Sequence, residues 1–414
     1  MMKNNPNSVL VVGFNTRPLV YSLNKAGYDV YAVDFFGDLD LYSHVKDFII
    51  ITKELSGNYN SLRERYSKYL ADYSISLLQK HQNINFLLIG SGLDDAYNDR
   101  ERILNKSEVI NLTSVNNCLS TVKKARDIDY IFKILKVRGF CVPISFSFED
   151  FGLENVNLDF PFILKKRRSA GGLNVFKIED KKSLYSKVKS FERSNFSPSE
   201  WLVQEYIDGI PVSCTIISNG IECEIISINR QIIGKEFLNP PKNFIYCGNI
   251  VPSGLSESEE KKIAEISKFL AKNIGLRGIN GFDFVIKNQT PFFMECNPRI
   301  PGSIRASESA LNINLLDLHI KSFTTGEWKQ ISKIIKSSTF KCFSTKLVVF
   351  ALKTIEKNLL DKINHLKFVH DKTEPIRNVL KGEPLCTILY GANSLLESYN
   401  GAKNIVIEIN KIIE

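Results

Sequence analysis

No apolar run in the 414 residues approaches the roughly 20 that cross a bilayer, so a membrane-spanning part is not expected. A secretory signal is missing too: "MMKNNPNSVLVVGF" opens on polar residues and enters an apolar run of only strand length. A cytoplasmic location follows as the expectation. Histidine is scarce: His44, His81, His319, His365 and His370 are the five, with no HExxH and no Cys/His cluster, which argues against zinc chemistry. None of the eight cysteines (Cys118, Cys141, Cys214, Cys223, Cys247, Cys296, Cys342, Cys386) forms a CxxC pair, and most sit in apolar runs. Reduced, buried thiols are expected rather than a disulfide frame. Internal repeats and low-complexity tracts are absent as well.

What is present is ordinary for a soluble globular chain, with 43% hydrophobic and 24% charged residues. The length exceeds one usual core and predicts two or three domains. Net charge is +9, but lysines and arginines are spread among acids and no nucleic-acid-binding motif occurs, so no nucleic-acid partner is expected. A local basic loop for a small polyanion accounts for the charge equally well.

Residues 1–118 alternate strand and helix. "SVLVVGF", "DVYAVDFFGD" and "INFLLIGSGLDD" read as strands, and "RPLVYSLNKAGY" as a short amphipathic helix ended by Gly27. That order predicts a Rossmann-like parallel α/β layer whose ligand side is the carboxyl edge of the strands. Gly13 and Asp34 stand about where a dinucleotide fingerprint would put a glycine and its acid, but "GFNTRP" lacks the remaining glycines. The turn is then either an architectural feature or part of a substrate pocket.

A new domain is expected over residues 119–330, beginning with a helix patterned on Ile128, Ile131, Ile134 and Leu135 and stopped at Gly139. "FPFILKKRRSAGGLNVFKI" reads as strand, basic glycine loop, strand, within a lid over about residues 160–200. "SEEKKIAEISKFLAKNIGL" is an amphipathic helix, and "GFDFVIKNQTPFFMECNPR" gives two strands joined by "KNQT". Residues 331–414 change pattern and predict a small C-terminal α+β domain, with strands at "STKLVVFAL" and "PLCTILYGA" and a terminal helix or strand at "GAKNIVIEINKIIE".

Three segments carry chemistry. Lys165 ends a strand and precedes Gly171 and Gly172, so backbone N–H groups there can fold over phosphates while the ammonium stabilises their charge. It is no Walker A loop, because no GK[ST] opens a helix. Gln204, Glu205, Tyr206 and Ile207 end another apolar strand, where the Glu205 and Ile207 backbones can offer adenine one acceptor and one donor. Asp283 and Glu295 fall on adjacent antiparallel strands and can meet on one face, with Asn297 and Arg299 alternating beyond. Two carboxylates and an amide oxygen suit Mg²⁺, and Arg299 can hold a phosphoryl group or a carboxylate in a fork.

This ordered set resembles the ATP-grasp superfamily over about residues 119–310, and the N-terminal layer looks like a branch of ATP-dependent carboligases. The resemblance implies that Lys165 and the loop at Gly171 and Gly172 bind ATP phosphates and that Gln204, Glu205, Tyr206 and Ile207 hold adenine. It implies that Asp283, Glu295 and Asn297 carry Mg²⁺ or Mn²⁺, and that Arg299 and Lys165 act in catalysis. The family's usual second lysine would follow Asp127, where Ile128 stands, leaving Arg126 or Lys133 as replacements. Its ribose acid would fall near Pro211, and a loop glycine is replaced by Asn174.

Biotin carboxylase is similar in outline but carries a glutamate where this chain has Ser303. The resemblance therefore favours a carboxylate–amine ligase over a bicarbonate-using carboxylase or a non-catalytic ATP-binding module. The expected partners are a small-molecule carboxylate and an amine, with Arg230, Ser303 and Arg305 as substrate residues. The apolar face of the N-terminal layer is a candidate surface for pairing two copies.

Overall fold

The N-terminal strands are apolar enough to be covered on both faces, and they are. The computed structural model describes residues 7–55, 59–149, 158–169, 171–192, 197–324 and 326–414. Strands β1 (Ser8–Gly13), β2 (Asp29–Asp34), β3 (Asp47–Ile50), β4 (Phe86–Ile89) and β5 (Thr113–Ser114) form a parallel sheet in the order β3-β2-β1-β4-β5. Every residue of β1 is buried, as a central parallel strand requires. The strand order reverses on either side of β1, so the turns after β1 and β4 flank the switch point where α/β sheets bind ligands. One face packs on Leu70, Leu77 and Ile103. The other packs on Leu315 and Leu316 of a much later helix. The apolar face suggested for pairing two copies is thus covered within the chain.

A second, antiparallel sheet is built from β6 (Ser145–Ser147), β7 (Phe162–Lys166), β8 (Val175–Ile178) and β9 (Trp201–Glu205), in the order β6-β9-β7-β8. Ala170 of the basic loop and residues 193–196 of the expected lid lie outside the described residues, as do residues 1–6 of the polar start.

The third sheet contains β10 (Ile210–Asn219), β11 (Cys223–Ile233), β12 (Tyr246–Val251), β13 (Arg277–Lys287), β14 (Thr290–Asn297), β15 (Phe343–Phe350), β16 (Val369–His370) and β17 (Pro384–Ala392). Its order is β14-β13-β10-β11-β12-β15-β17-β16. Helix Glu257–Ile274 lays Ile263, Ile266, Leu270 and Ile274 into the core behind it. A Ser256/Glu259 capping box starts this helix. The final segment is a helix, Leu395–Ile413. The strands beyond residue 331 do not make a sheet of their own: β15 pairs with β12, so the tail extends the sheet that carries Asp283 and Glu295.

Two polar links tie the first sheet to the third. Asn117 donates to Asn280 Oδ1 at 2.7 Å and accepts from the Arg277 N–H at 2.8 Å. The buried His319 accepts from the Ile279 N–H at 2.9 Å and contacts the Val115 carbonyl at 2.9 Å through its other nitrogen. Burial lowers the His319 pKa to about 4, which keeps the ring neutral in both contacts. No helix among the described residues is long and apolar enough to cross a membrane, and all eight cysteines are free.

The β12–β15 joint depends on Gly248, whose φ is 135° and whose added Cβ would lie 2.0 Å from the Lys346 carbonyl oxygen. Gly248→Ala is expected to destabilise the protein by roughly 2–3 kcal/mol. Urea unfolding would read this as a lowered midpoint; an unchanged midpoint contradicts the assigned strand joint.

Candidate active site

The three sheets enclose one large cavity of about 1670 Å³. Single-ligand pockets run about 300–1,000 Å³, so there is room for a nucleotide and further substrates together. Lys165, Gly171, Gly172, Gln204, Glu205, Tyr206, Ile207, Arg230, Asp283, Glu295, Asn297, Arg299 and Ser303 all line it.

The acidic pair sits on the β13–β14 hairpin, where Asp283 is directly opposite Glu295 and Gly281 opposite Asn297. Gln231 donates to one Asp283 oxygen at 2.8 Å and Asn297 donates to the other at 2.8 Å. Burial, and then the Glu295 carboxylate beside it, push the Asp283 carboxyl up to about 8. Two hard carboxylates directly opposite each other, with an amide at hand, form a donor set that a divalent cation fits. Among the described residues no group of three or more His, Cys, Asp or Glu is placed to hold a metal ion, so the donors here are two carboxylates and an amide.

Cationic side chains surround this pair. Burial pulls the Lys165 ammonium below its usual range, with Glu295 and Asp283 opposing the shift and Arg126 adding to it. Arg299 Nε donates to Asp94 Oδ2 at 2.5 Å. Arg126 grips Asp95 with two bonds, of 2.9 and 2.8 Å, and also donates to the Ser169 carbonyl of the basic loop at 3.0 Å. Of the two replacements for the family's second lysine, Arg126 lines the cavity, whereas Lys133 is exposed outside it. Asp127 caps the helix Ile128–Val137 by accepting from the Tyr130 N–H.

The basic loop is held down on β12. Gly172 has φ 79°, and a Cβ there would lie 1.8 Å from the Phe244 carbonyl oxygen, so only glycine permits this approach. Lys242 donates to the Leu173 carbonyl at 2.8 Å. Asn174 is not among the described residues of positive φ; it stabilises the loop through its amide, which donates to Ser169 Oγ at 3.2 Å.

In the hinge, the Glu205 N–H donates to the Ile144 carbonyl at 2.8 Å, and its carboxylate accepts from the Ile144 N–H at 3.1 Å. A backbone donor for a purine nitrogen must therefore come from beyond the strand, where Ile207 stands. Gln204 is tied to Ser145 at 2.9 Å, and the Tyr206 ring lies 4.6 Å from the Lys177 ammonium. Pro211 lines the cavity at the position where the family carries its ribose acid.

Among the expected substrate residues, Arg230 lines the cavity, and its buried Nε has no hydrogen-bond partner among the described residues. Ser303 is buried 3.2 Å from Thr215 Oγ1. Arg305 is placed elsewhere: it lies outside the cavity lining, pairs with Glu308 at 2.6 Å and sits 4.2 Å over the Tyr21 ring. Sequence reasoning missed Asp94 and Asp95. Their only signal was two acids after a buried strand, at the edge where ligands bind.

A family model described as an ATP-grasp domain matches residues 130–303. Residues 130–303 form an ATP-grasp domain. The chain is 28% identical to an uncharacterized protein of Methanocaldococcus jannaschii over 403 residues, 93% of this chain and 88% of that protein. It is 27% identical to the D-alanine–D-alanine ligase of Flavobacterium psychrophilum over 146 residues, 35% of this chain and 43% of that enzyme. Among solved structures, L-amino acid ligase from Bacillus licheniformis superposes with a TM-score of 0.68 at 15% identity, covering 98% of both chains. Biotin carboxylase from Campylobacter jejuni superposes with a TM-score of 0.69 at 15% identity, covering 97% of this chain and 94% of that one. The fold of the ATP-grasp domain and its flanking layers is thus shared with ligases and carboxylases alike.

Because a metal ligand must be deprotonated, a cation binding here would expel the proton that Asp283 carries below about pH 8. Mg²⁺ affinity is expected to rise with pH up to about 8 and then level off, with close to one proton released at pH 7. Calorimetry of Mg-ATP binding in buffers of different ionisation enthalpy measures this; zero proton release would remove the pair from the metal site.

Proposed function

We propose that the protein is an ATP-dependent ligase that joins a carboxylate to an amine, releasing ADP and phosphate. The observation that carries this reading is the Asp283–Glu295 pair, ringed by Lys165, Arg126 and Arg299 in a cavity with space for three ligands. The D-alanine–D-alanine ligase and L-amino acid ligase relatives support the same reaction class.

Asp283, Glu295 and Asn297 would hold Mg²⁺, which neutralises phosphate charge when bound. Lys165 and the N–H groups around Gly171 and Gly172 position the terminal phosphates. Arg299, fixed by Asp94, presents a guanidinium edge to the transferring phosphoryl group without needing to reorganise. Arg230, which lines the cavity, receives the substrate carboxylate. The carboxylate oxygen attacks the γ-phosphorus and gives an acyl phosphate. The amine then attacks the acyl carbon, and phosphate leaves. Catalysis of this kind is positioning and charge stabilisation, which buried and mutually braced side chains supply.

Biotin carboxylase shares the fold, and a bicarbonate reaction would want an acid where Ser303 stands. Ser303 is 4% exposed and bonded to Thr215, so no base is available at that point.

Mg²⁺-dependent ADP and phosphate release on adding carboxylate and amine panels tests the proposal, with hydroxylamine as a trap for the acyl phosphate. Glu295→Gln is expected to lower turnover at least a thousandfold while leaving the melting temperature within a few degrees of the parent's. Wild-type turnover in that variant would sink the metal assignment, and AMP as product would refute the acyl-phosphate route.

A further inference from the structure

The cavity extends beyond the phosphate end to a region walled by the turn after β2 and the chain after β16. Asp34 builds the first wall. One of its oxygens accepts from the Phe36 and Gly37 N–H groups at 2.8 and 2.7 Å, and the other from the Thr16 N–H and hydroxyl at 2.5 and 2.8 Å. With its carboxylate spent on these four donors, Asp34 locks the two turns together, and Asp38 follows directly after the bonded Gly37. Asp38 lines the cavity although it is only 8% exposed.

The cations nearby are already engaged. Arg17 is divided between Asp371 at 2.6 Å and Asp40 at 3.4 Å. Lys346 donates to the Gly302 carbonyl at 3.0 Å. Lys53 is held by Glu374 at 2.6 Å. Among the described residues no donor hydrogen-bonds the Asp38 carboxylate. Burial, followed by Asp371, Asp34 and Asp40, pushes its carboxyl well above the usual carboxylate range, with Arg17 opposing. Asp38, Asp40 and Asp371 face two cations, the Arg17 guanidinium and, at Asp371, the Lys346 ammonium, so three carboxyl groups share two positive charges.

We propose that Asp38 is the binding residue for the amino group of the amine substrate, which is therefore a primary amine that enters the cavity as an organic cation and gives a proton to the Asp38 carboxylate before the free amine attacks the acyl carbon. This rests on the ligase reading for the substrate's identity, but not for the binding itself. An ammonium supplies the missing charge and three donors in a compact head. The Arg17–Asp371 pair and the Asp34 lock hold the receiving carboxylate still. Asp38 and the two arginines Arg230 and Arg299 line the same cavity with opposite charge, which sorts amine from carboxylate before any chemistry.

The test compares the full-length wild type with Asp38→Asn, using ethylammonium and 2-phenylethylammonium as probes. Hydroxylamine, uncharged near neutral pH, serves as the contrasting nucleophile. Calorimetric affinity for the better ammonium probe in the presence of Mg-ADP is expected to fall at least tenfold in the variant. With a carboxylate that supports hydroxamate formation, the ratio of hydroxamate to amide at fixed concentrations is expected to rise by a similar factor. The melting temperature of Asp38→Asn should match or exceed that of the wild type, because a buried acid crowded by other carboxylates is replaced by a neutral amide of the same shape, so a binding loss cannot be laid to misfolding. Absence of hydroxamate with every carboxylate counts against the ligase reading alone, and the calorimetric comparison still decides this proposal. Equal probe affinity in the two proteins, or no binding of either ammonium to the wild type, overturns it.

Discussion

Two carboxylates on neighbouring buried strands repel each other, and the candidate site is arranged around that repulsion. Asp283 and Glu295 cannot move apart, because the β13–β14 register fixes them and Phe282, Phe284 and Phe293 fill the core around them. Gln231 and Asn297 take up part of the charge as donors. Lys165, Arg126 and Arg299 add cations, and Asp95 and Asp94 then pin the two arginines. The charges alternate in sign outward from the acidic pair. Each layer is tolerable in a buried setting only because the next one is present.

This arrangement gives the N-terminal layer a share in the charge balance of the candidate site. Its β4 turn supplies the two aspartates that hold the arginines, and its β2 turn supplies Asp38. Asp34, which sits where a dinucleotide-binding protein would keep an acid for ribose, is consumed by four local donors. The turn after β1 lacks the GxGxxG glycines and packs against the β4 turn, with the Phe14 N–H bonded to the Ser91 carbonyl at 2.8 Å.

Local patterns were legible in the sequence, and contacts between distant parts were not. The strand ending at Lys165, the loop at Gly171 and Gly172, the hinge at Glu205 and the D…E.N.R hairpin each announce themselves within a few residues, because period-2 burial and turn chemistry are local. Asp94 gave no comparable sign, since its partner Arg299 lies 205 positions away. Arg305 misled for the opposite reason. It stands two residues from Ser303, yet the turn that starts helix Ile304–Leu311 directs it toward Tyr21 and Glu308, away from the cavity. The tail's strands were readable one by one, but which edge they would join is a question of tertiary packing that periodicity does not address.

The tail's attachment to β12 carries a further consequence. A chain ending near residue 331 would leave β12 as an open edge, with a row of unmatched N–H and C=O groups beside apolar residues that β15 now covers. Such an edge recruits other strands, including those of a second copy. Grafting experiments that exchange substrate preference between relatives should therefore move the segment 331–414 together with the domain it borders. The shorter graft would trade a change in specificity for a loss of solubility.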